Sequence, residues 1–389
     1  MEFVPYDQFK NIEFIASGGF SKIYKATWVN GPINNWYENE PDGWNIFRNN
    51  NYTVVLKKLN NSKNITSKEL NELKVFYQIY SNRNVLEKYN IARYFGITQD
   101  PITKDIMIIM TYYKSGDLIR YLSSDFYRID WEIKLDNLSS LIVGLKNLHN
   151  LDLIHRDLHS GNIFFEYNFA YIGDLGISRS ATESTDNNEN YGIIPYMAPE
   201  IFQGQKYSKA SDICSFGMIM WEFMTGRRPF WDRNHDAELI IEIFDGLRPP
   251  IVTNAPKGYI KLMKECWDFN PEKTNSYRYI GPVPKNNPDA IYKSRPLSGM
   301  INSAMSLRSS RSLSINLGSG KRKFEDLVTD NNDDGQCIKK EKLCENVINE
   351  YLTNEIEFDI NVNFNQSNKP HDKDYVTLKF ELDIDFNNP

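Results

Sequence analysis

Short apolar runs, separated by Gly, Asn and Pro, dominate residues 14–110. Runs of this length with such boundaries are typical of β-strands. They predict strands at 14–16, 21–28, 53–59, 91–97 and 106–110. One stretch of helical spacing, 67–79, interrupts them, and an antiparallel meander is the simplest connection. This part of the chain is therefore predicted to be a small antiparallel sheet with one helix.

The second and third predicted strands are joined by a long connection, residues 29–51, which is rich in Trp, Asn and Gly. A connection of this length is either a functional insert or a mobile surface loop. We expect a mobile loop.

The apolar spacing changes after Met110. From Trp131 to Leu148 apolar residues recur every three or four positions, which is the stripe of a buried amphipathic helix. Further helices are predicted at 211–225 and 237–244, and the periodicity fades after Trp267. The second part of the chain is therefore predicted to be mainly helical.

The composition turns to Asn, Ser, Pro and charge from about Tyr277, which predicts a low-complexity, largely disordered tail over 276–389. Two tail segments, 356–364 and 376–386, alternate apolar and polar residues as strands do. They could pair with each other, bind a protein partner by adding to the edge of its sheet, or pack on the rest of the chain. Acidic disorder with scattered aromatic residues is the alternative that we favour.

Bulk composition limits the function classes. The 389 residues are 41% hydrophobic and 25% charged with a net charge of -6, so no basic surplus points to nucleic acid or to an anionic membrane. The four cysteines show no CxxC spacing, which suits a reducing compartment. Residues 1–10 carry charged and polar side chains where a signal peptide needs an apolar core, and no apolar run approaches the roughly 18 to 20 residues of a membrane span. We expect a cytoplasmic protein; the basic triplet at 321–323 is a weak nuclear signal.

The strongest chemical signal is HRDLHSGN at 155–162, which follows a predicted helix and precedes a short apolar run. It places Asp157 and Asn162 five residues apart. Phosphoryl transfer needs a carboxylate to orient the attacking hydroxyl and oxygen ligands to hold magnesium. Asp157 suits the first role and Asn162 the second. Taken alone, the motif could also be a polar turn without chemistry.

Three motifs in order resemble the catalytic loop, the metal loop and the activation-segment end of eukaryotic protein kinases: HRDLHSGN, IGDLG at 172–176 and MAPE at 197–200. The run SFGMIMWE at 215–222 is most similar to the tyrosine-kinase-like group. The resemblance implies a bilobal α+β kinase fold over residues 9–275, with an N-lobe at 9–110 and a C-lobe at 111–275. It also implies ATP, Mg²⁺ and a protein substrate.

The resemblance assigns further roles residue by residue. Asp174 matches the magnesium-binding Asp, with Leu175 where the family more often has Phe. Lys57 matches the lysine that contacts the ATP phosphates, and Glu72 its ion-pair partner, with Glu69 as the alternative. Because side chains alternate along a strand, Lys58 is expected to face solvent.

The nucleotide loop is the weakest match. IASGGFSKIY at 15–24 keeps Gly18 but has Ala16 and Ser21 at the outer glycine positions, which would hinder close approach of phosphate to the backbone. The resemblance also implies an adenine and ribose site made of Ile15, Ile23, the gatekeeper Met110, the hinge Thr111–Tyr113 and Asp117.

The acceptor type follows from the group rather than from single residues. Serine/threonine kinases usually carry Lys where this chain has His159, and Thr where it has Ile193. Neither tyrosine-kinase form of the catalytic loop is present. Because members of the tyrosine-kinase-like group mostly modify Ser and Thr, we expect Ser/Thr specificity, with tyrosine or dual specificity as the alternative.

Two regulatory features are hypotheses at this stage. The family pairs the carboxylate matching Glu200 with a buried Arg, whose position holds Thr274 here, so Glu200 is expected to lack a partner unless Arg278 supplies one. Arg156 could receive a phosphate from the activation segment, or that segment could simply be a polar loop. Its candidate acceptors are Ser178, Ser180, Thr182, Ser184, Thr185 and Tyr191.

Two rival functions stay open. A pseudokinase would bind nucleotide or partners without catalysis, and the eroded glycine loop favours it. An interaction scaffold would act through the tail. The presence of Lys57, Glu72, Asp157, Asn162 and Asp174 favours an active kinase, because these are the groups that the chemistry requires.

Overall fold

The architecture was taken from a computed structural model. It describes residues 2–17, 21–39, 43–63, 71–81, 90–176, 178–180, 189–252, 255–267, 282 and 285–318. The described residues up to 309 belong to one compact unit.

The N-terminal part combines a twisted sheet with one helix. Its elements are, in chain order, β1 (Glu2–Phe3), β2 (Phe9–Ser17), β3 (Ser21–Trp28), β4 (Ile33–Asn39), β5 (Gly43–Arg48), β6 (Tyr52–Leu59), α1 (Asn71–Ser81), β7 (Tyr94–Gln99) and β8 (Ile106–Thr111). All five predicted strands have counterparts here, and α1 overlaps the predicted helix 67–79 and ends two residues beyond it.

The strand order differs from the expected meander. The main sheet has the order β1-β7-β8-β6-β3-β2, so β6 pairs with β8 and not with β7, the next strand in the chain. After β6 the chain passes through α1 and enters β7, which lies on the far side of β8. It then turns from β7 into β8, which pairs with both β7 and β6. β1 adds to the outer edge as a parallel strand.

The long connection 29–51, which we expected to be a mobile loop, contains two strands, and its mobility stays a prediction. Its strands β4 and β5 pair antiparallel as a separate hairpin. The base of the hairpin is fixed by Arg48, which donates to the carbonyl oxygen of Gly31 at 2.8 Å and bonds to the Glu2 carboxylate. The guanidinium also lies over the Trp28 ring.

The two faces of the sheet are both covered. The face that carries Val54 and Leu56 packs with Phe9, Trp28 and Phe95 in a core of its own. The opposite face contributes to a larger core that continues through α1 into the helical part. Alternation along β6 therefore places Lys57 on the inner face, towards the helical part.

The C-terminal part is mainly helical. Its elements are β9 (Gly116–Asp117), α2 (Leu118–Asp125), α3 (Trp131–Asn150), β10 (Leu153–Ile154), β11 (Ile163–Glu166), β12 (Phe169–Ile172), β13 (Arg179–Ser180), β14 (Tyr191–Gly192), α4 (Pro199–Phe202), α5 (Lys209–Thr225), α6 (Ala237–Phe244), α7 (Tyr259–Trp267), β15 (Arg295–Pro296) and α8 (Ser298–Gly318). The predicted helices correspond to α3, α5 and α6.

Side-chain caps explain several helix boundaries. Asp130 accepts from the backbone N–H of Ile133 at the start of α3. Ser208 and Ser211 form a reciprocal capping box at the start of α5. That helix ends at Gly226, whose φ of 71° is the left-handed conformation that glycine adopts without strain. These local signals fix the ends of the helices that carry the site.

Part of the predicted tail is ordered. β15 pairs with β14, and α8 begins directly after it. Leu297, Ile301 and Ala304 are buried in the main core, which accounts for the order despite the polar composition of the segment. The strand-like segments 356–364 and 376–386 lie outside the described residues. Within the described part, none of the helices is both long enough and apolar enough to span a membrane.

Candidate active site

Lys57 lies at the centre of a charged triad on the inner face of the sheet. Its Nζ is 2.8 Å from Glu72 Oε2 and 2.7 Å from Asp174 Oδ1. Lys57 comes from β6, Glu72 from α1 and Asp174 from the loop after β12. The ion pairs therefore connect the sheet, its helix and the C-terminal part, and they bring together three of the predicted site residues.

Glu72 is held from both sides. One carboxylate oxygen accepts from Lys57, and Oε1 accepts from the hydroxyl of Tyr94 at 2.7 Å. Both partners are buried, as is Glu72 itself. Sequence reasoning missed Tyr94, because a tyrosine in a buried strand gives no sign of its partner. The alternative residue Glu69 lies outside the described residues.

The charge states of the triad follow from its geometry. Burial alone would lower the pKa of Lys57, but the carboxylates of Asp174 and Glu72 outweigh it and raise that pKa overall. Burial would raise the pKa of Asp174, and the Lys57 charge outweighs this and lowers it. The pair therefore stays ionised at neutral pH.

The catalytic loop between β10 and β11 is fixed by one buried carboxylate. Asp212, near the start of α5, accepts from the backbone N–H groups of His155 at 2.8 Å and Arg156 at 2.9 Å. Its Oδ2 is also 2.9 Å from Nε2 of His149. Arg156 has φ of 72°, a left-handed conformation that these bonds hold in place.

The same loop joins Asp157 to Asn162. The amide Nδ2 of Asn162 donates to the carbonyl oxygen of Asp157 at 2.9 Å. The carbonyl oxygen of Asn162 accepts from the N–H of Gly173 at 2.8 Å, immediately before Asp174. One side-chain bond and one backbone bond thus link Asp157, Asn162 and the residue before Asp174.

The apolar residues predicted to surround the adenine lie in three strands of the main sheet, β2, β3 and β8. Met110 is buried near the end of β8, and Thr111 closes that strand. Ile23 of β3 lies directly opposite Lys57 in the sheet. Ile15 of β2 is 47% exposed. Gly18 lies outside the described residues.

The hinge and ribose positions have structural roles of their own. Tyr113 stacks on Phe164 of β11, with ring centroids 5.6 Å apart and planes within 7°. Phe164 in turn packs so closely against Gly173 that a Cβ there would lie 2.5 Å from its ring. Asp117 caps α2 by accepting from the N–H of Arg120. Phe164 was missed from the sequence, although it lies two residues after Asn162 in the short apolar run.

These site residues all lie in a region that matches a known protein family. The sequence profile of the family described as protein tyrosine and serine/threonine kinase matches residues 9–282, which is more than half of the chain. The chain belongs to the protein kinase family. The match begins at β2 and ends beyond α7, so it contains every residue of the site described above.

Individual relatives agree with the family. A probable serine/threonine-protein kinase of Dictyostelium discoideum is 27% identical over 285 residues, which is 71% of this chain and 19% of that protein. A probable LIM domain-containing serine/threonine-protein kinase of the same organism is 30% identical over 192 residues, 49% of this chain and 29% of that protein. A putative serine/threonine-protein kinase/receptor of Acanthamoeba polyphaga mimivirus is 33% identical over 175 residues, 44% and 10% of the two chains. The kinase thus matches less than a third of the length of each relative.

One site prediction was wrong. Lys58 does not face solvent: it is buried and paired with Asp100 at 2.8 Å and Asp105 at 3.6 Å. Alternation along β6 does place the Lys58 side chain on the opposite face of the sheet from Lys57, but that outer face is covered at this position. The turn between β7 and β8 supplies the two carboxylates, and the bond from Lys58 contributes to holding the pKa of Asp100 at about 2 against the effect of burial.

Glu200 has a positive neighbour that the sequence did not indicate. Burial raises the pKa of Glu200, and the charge of Arg248 opposes that rise. Arg248 follows α6 in the chain and also donates to three backbone carbonyls. Thr274 and Arg278, the positions considered from sequence, lie outside the described residues.

The described start of the activation segment, Ser178–Ser180, packs against the catalytic loop. Ser178 is fully buried and its hydroxyl donates to the carbonyl oxygen of His155, so it would have to move before it could be phosphorylated. The side-chain amide of Asn71 donates to the carbonyl of Ser178 at 2.8 Å. The Arg156 guanidinium lies 4.8 Å from the Tyr207 ring. Phosphate capture by Arg156 stays a prediction, and Thr182, Ser184 and Thr185 lie outside the described residues.

The oxygen atoms at the site suit magnesium, which the family implies. Asn162 uses its amide nitrogen for Asp157, which leaves its side-chain oxygen for a cation. Asp174 gives one oxygen to Lys57, while 42% of its side chain is exposed. Mg²⁺ takes oxygen ligands and is commonly held by one or two carboxylates together with substrate phosphates. Asn162 and Asp174 are therefore the residues that would hold it.

Proposed function

We propose that this kinase transfers the γ-phosphoryl group of ATP to serine and threonine hydroxyls of protein substrates. The observation that carries the proposal is the Lys57 ion-pair triad, linked to Asn162 by the Gly173 backbone bond and from there to Asp157 by the Asn162 side chain. A phosphotransferase site needs a phosphate-binding cation, a carboxylate for the acceptor hydroxyl and oxygen ligands for magnesium. All three groups are available in one place.

Lys57 would bind the ATP phosphates. It is buried between two carboxylates, so its ammonium is charged and its position is fixed. A fixed cation stabilises phosphate charge without reorganising during the reaction. Glu72 and Tyr94 orient Lys57 and do not need to touch the substrate.

Asp157 would orient the acceptor hydroxyl and accept its proton. The loop around it is fixed by Asp212 and Asn162, so the carboxylate can be aimed with little motion. Magnesium, when bound, would neutralise charge that develops on the phosphates. The proton leaves the Ser or Thr hydroxyl as its oxygen bonds to phosphorus, and ADP is the leaving group.

The acceptor type rests on similarity. The relatives are named as serine/threonine kinases, and this supports Ser/Thr specificity for this chain. His159 and Ile193 replace the Lys and Thr that such kinases usually carry. Tyrosine or dual specificity is therefore the alternative that the experiment must separate.

The test is mass spectrometry of a mixed peptide library after incubation with the purified protein, ATP and Mg²⁺. We expect phosphoserine and phosphothreonine with the wild type and none with Asp174→Ala. Phosphotyrosine would keep the enzyme but overturn the acceptor type. If wild type transfers no more phosphate than Asp174→Ala, with magnesium and with manganese, the result would support a pseudokinase instead.

A further inference from the structure

The catalytic loop holds an unusual ring beside the proposed base. Nε2 of His159 is 3.7 Å from Oδ2 of Asp157, which is longer than a hydrogen bond. The other ring nitrogen, Nδ1, accepts the backbone N–H of Gly161 at 3.0 Å. The ring is buried and faces Tyr196 with centroids 5.9 Å apart.

The Gly161 contact determines where the ring proton lies. An imidazole nitrogen that accepts an N–H carries no proton, so the ring is neutral and its proton is on Nε2. That N–H then faces the Asp157 carboxylate. Gly161 is needed for this arrangement, because a Cβ there would lie 2.9 Å from Cε1 of His159.

We propose that His159 is a positioning residue, which rests on the proposed function. Neutral His159 donates its Nε2–H to Asp157 and leaves the second carboxylate oxygen for the acceptor hydroxyl. Apo hydrogen bonds at catalytic sites are often long and shorten when substrate binds. A lysine at this position would place a permanent charge here; the histidine supplies a directional donor instead.

Two variants separate this role from loop support. The amide nitrogen of Gln reaches about as far as Nε2, so His159→Gln keeps the donor towards Asp157 and loses the acceptor for Gly161. The amide oxygen of Asn reaches about as far as Nδ1, so His159→Asn keeps the acceptor and loses the donor. We expect kcat of H159N to be about tenfold or more below that of H159Q, with the KM for ATP similar in both.

Equal kcat values, or H159N exceeding H159Q, would overturn the proposal, because the ring would then act only through Gly161. Inactive wild-type protein would instead refute the proposed function. NMR of histidine-labelled wild type tests the tautomer without a fold-disturbing change, with H159Q used for assignment. A protonated Nε2 and an unprotonated Nδ1 are expected, and a protonated Nδ1 would overturn the assignment.

A second, independent observation concerns the C-terminal segment 285–309. β15 of this segment pairs with β14 of the activation segment, opposing Pro296 to Tyr191 and Arg295 to Gly192. The N–H of Leu297 donates to the carbonyl of Asn190 at 2.8 Å. The N–H of Asn190 donates to the hydroxyl of Ser298 at 2.7 Å.

The segment is anchored to the rest of the kinase along its length. Leu297 and Ile301 are buried in the main core. The Tyr292 hydroxyl donates to the carbonyl of Pro229 at 2.7 Å. Arg308 lies 2.7 Å from Asp245, just after α6. This segment follows the matched family region 9–282.

The paired strand leads directly into the substrate side of the catalytic loop. Gly192 is followed by the buried turn Ile194–Tyr196, and the Tyr196 hydroxyl is 2.9 Å from that of Ser160. Ser160 belongs to the catalytic loop. A shift of β14 would therefore reach the loop where a peptide acceptor must lie.

We infer that segment 285–309 is a brace that holds this peptide-binding side in place, which also rests on the proposed function. Release of the brace should weaken peptide binding and leave nucleotide binding intact, because the hydrogen bonds that hold Lys57 in the described part of the chain come from Glu72 and Asp174 and not from this segment. The segment would therefore act as a regulatory element within the same chain.

The test compares Leu297→Asp with a control, Leu307→Asp, on the full chain. Leu297 is buried, whereas Leu307 belongs to α8 of the same region but is half exposed. We expect L297D to raise the peptide KM at least fivefold with the KM for ATP within twofold, and L307D to match wild type. A milder pair, Ser298→Ala against Ser303→Ala, serves if L297D does not fold. Equal peptide KM values within the tested pair would overturn the brace, whereas inactive wild type would refute the proposed function.

Discussion

Lys134 is a buried lysine in the middle of the helical part. Its Nζ lies 4.1 Å from the centroid of the Phe126 ring and 5.1 Å from that of Trp131. Burial lowers its pKa to about 8, although the charge of Asp130 opposes the shift. The free energy of unfolding therefore includes a cost for keeping this ammonium charged away from water.

Lys134→Met should stabilise the kinase by about 1 to 3 kcal/mol at pH 7, because removal of the buried charge outweighs the cation–π attraction that is lost with it. The native pKa lies below the unfolded one, so the unfolded chain binds more protons between about pH 8 and 10.5. Wild-type stability should gain from this group as pH rises through that window, and K134M should lack the gain. Urea unfolding measures both, with exposed Lys146→Met as the control. A less stable K134M would contradict this.

Glu222 of α5 is a carboxyl group that burial keeps protonated near neutral pH. Burial raises its pKa to about 8. One oxygen accepts from the Tyr196 hydroxyl, and the other has no hydrogen-bond partner among the described residues. Folding of wild type therefore takes up a proton between the unfolded pKa and the native one.

Glu222→Gln should remove a pH dependence of stability. Because the native state binds more protons between about pH 4.5 and 8, wild-type stability should fall as pH rises through that window. Each pKa unit of difference corresponds to about 1.4 kcal/mol. E222Q keeps the hydrogen bond to Tyr196 without the ionisation, so its profile should be flatter. Unfolding curves at several pH values test this, and parallel profiles would contradict it.

Sequence predicts single residues well where chemistry fixes the spacing. Asp157 and Asn162 belong to a contiguous motif, and Lys57, Glu72 and Asp174 meet as the kinase resemblance implied. The failures are residues whose partners come from distant segments. Lys58 meets the β7–β8 turn, and neither Tyr94 nor Arg248 signals its partner locally.

At the scale of elements, Arg248 connects the ends of two helices. Its guanidinium donates to the carbonyl of Trp267 at the end of α7, and to those of Ile243 and Leu247 around the end of α6. It also supplies the positive charge that acts on Glu200. This side chain therefore connects α6 to α7 and brings positive charge near Glu200.

Arg248→Met should destabilise the kinase by roughly 2 to 4 kcal/mol, because three carbonyls lose a charged donor and Glu200 loses a compensating charge. Thr274→Arg should add little, since Glu200 already has a positive neighbour. Thermal unfolding compares the two with Lys261→Met, whose side chain is mostly exposed. A large rise in melting temperature for T274R would show instead that Arg248 does not satisfy Glu200.

Elements with a strong internal period were predictable, and those defined by long-range pairing were not. The stripes of α3, α5 and α6 appear in the sequence because each buries one face or is buried all round. The hairpin β4–β5 and the position of β7 between β1 and β8 depend on pairing that no local pattern encodes. The order in 285–309 rests on a few buried side chains in a polar stretch.

At the scale of the whole molecule, the proposed chemistry depends on contacts between the two parts. The sheet supplies Lys57, α1 supplies Glu72, and the helical part supplies Asp157, Asn162 and Asp174. The comparison with the kinase family extends over residues 9–282, and the brace lies after it. The chain therefore continues, beyond the matched kinase region, into a segment that packs on it.

The most direct test of the central claim is phosphate transfer to a serine peptide by wild type and by Asp157→Asn, with ATP binding measured on the same samples. We predict unchanged ATP affinity and at least about a hundredfold loss of kcat in the variant, because Asn orients the hydroxyl but cannot accept its proton. Equal turnover by the two proteins would contradict the role of Asp157 as the base, and with it the proposed mechanism.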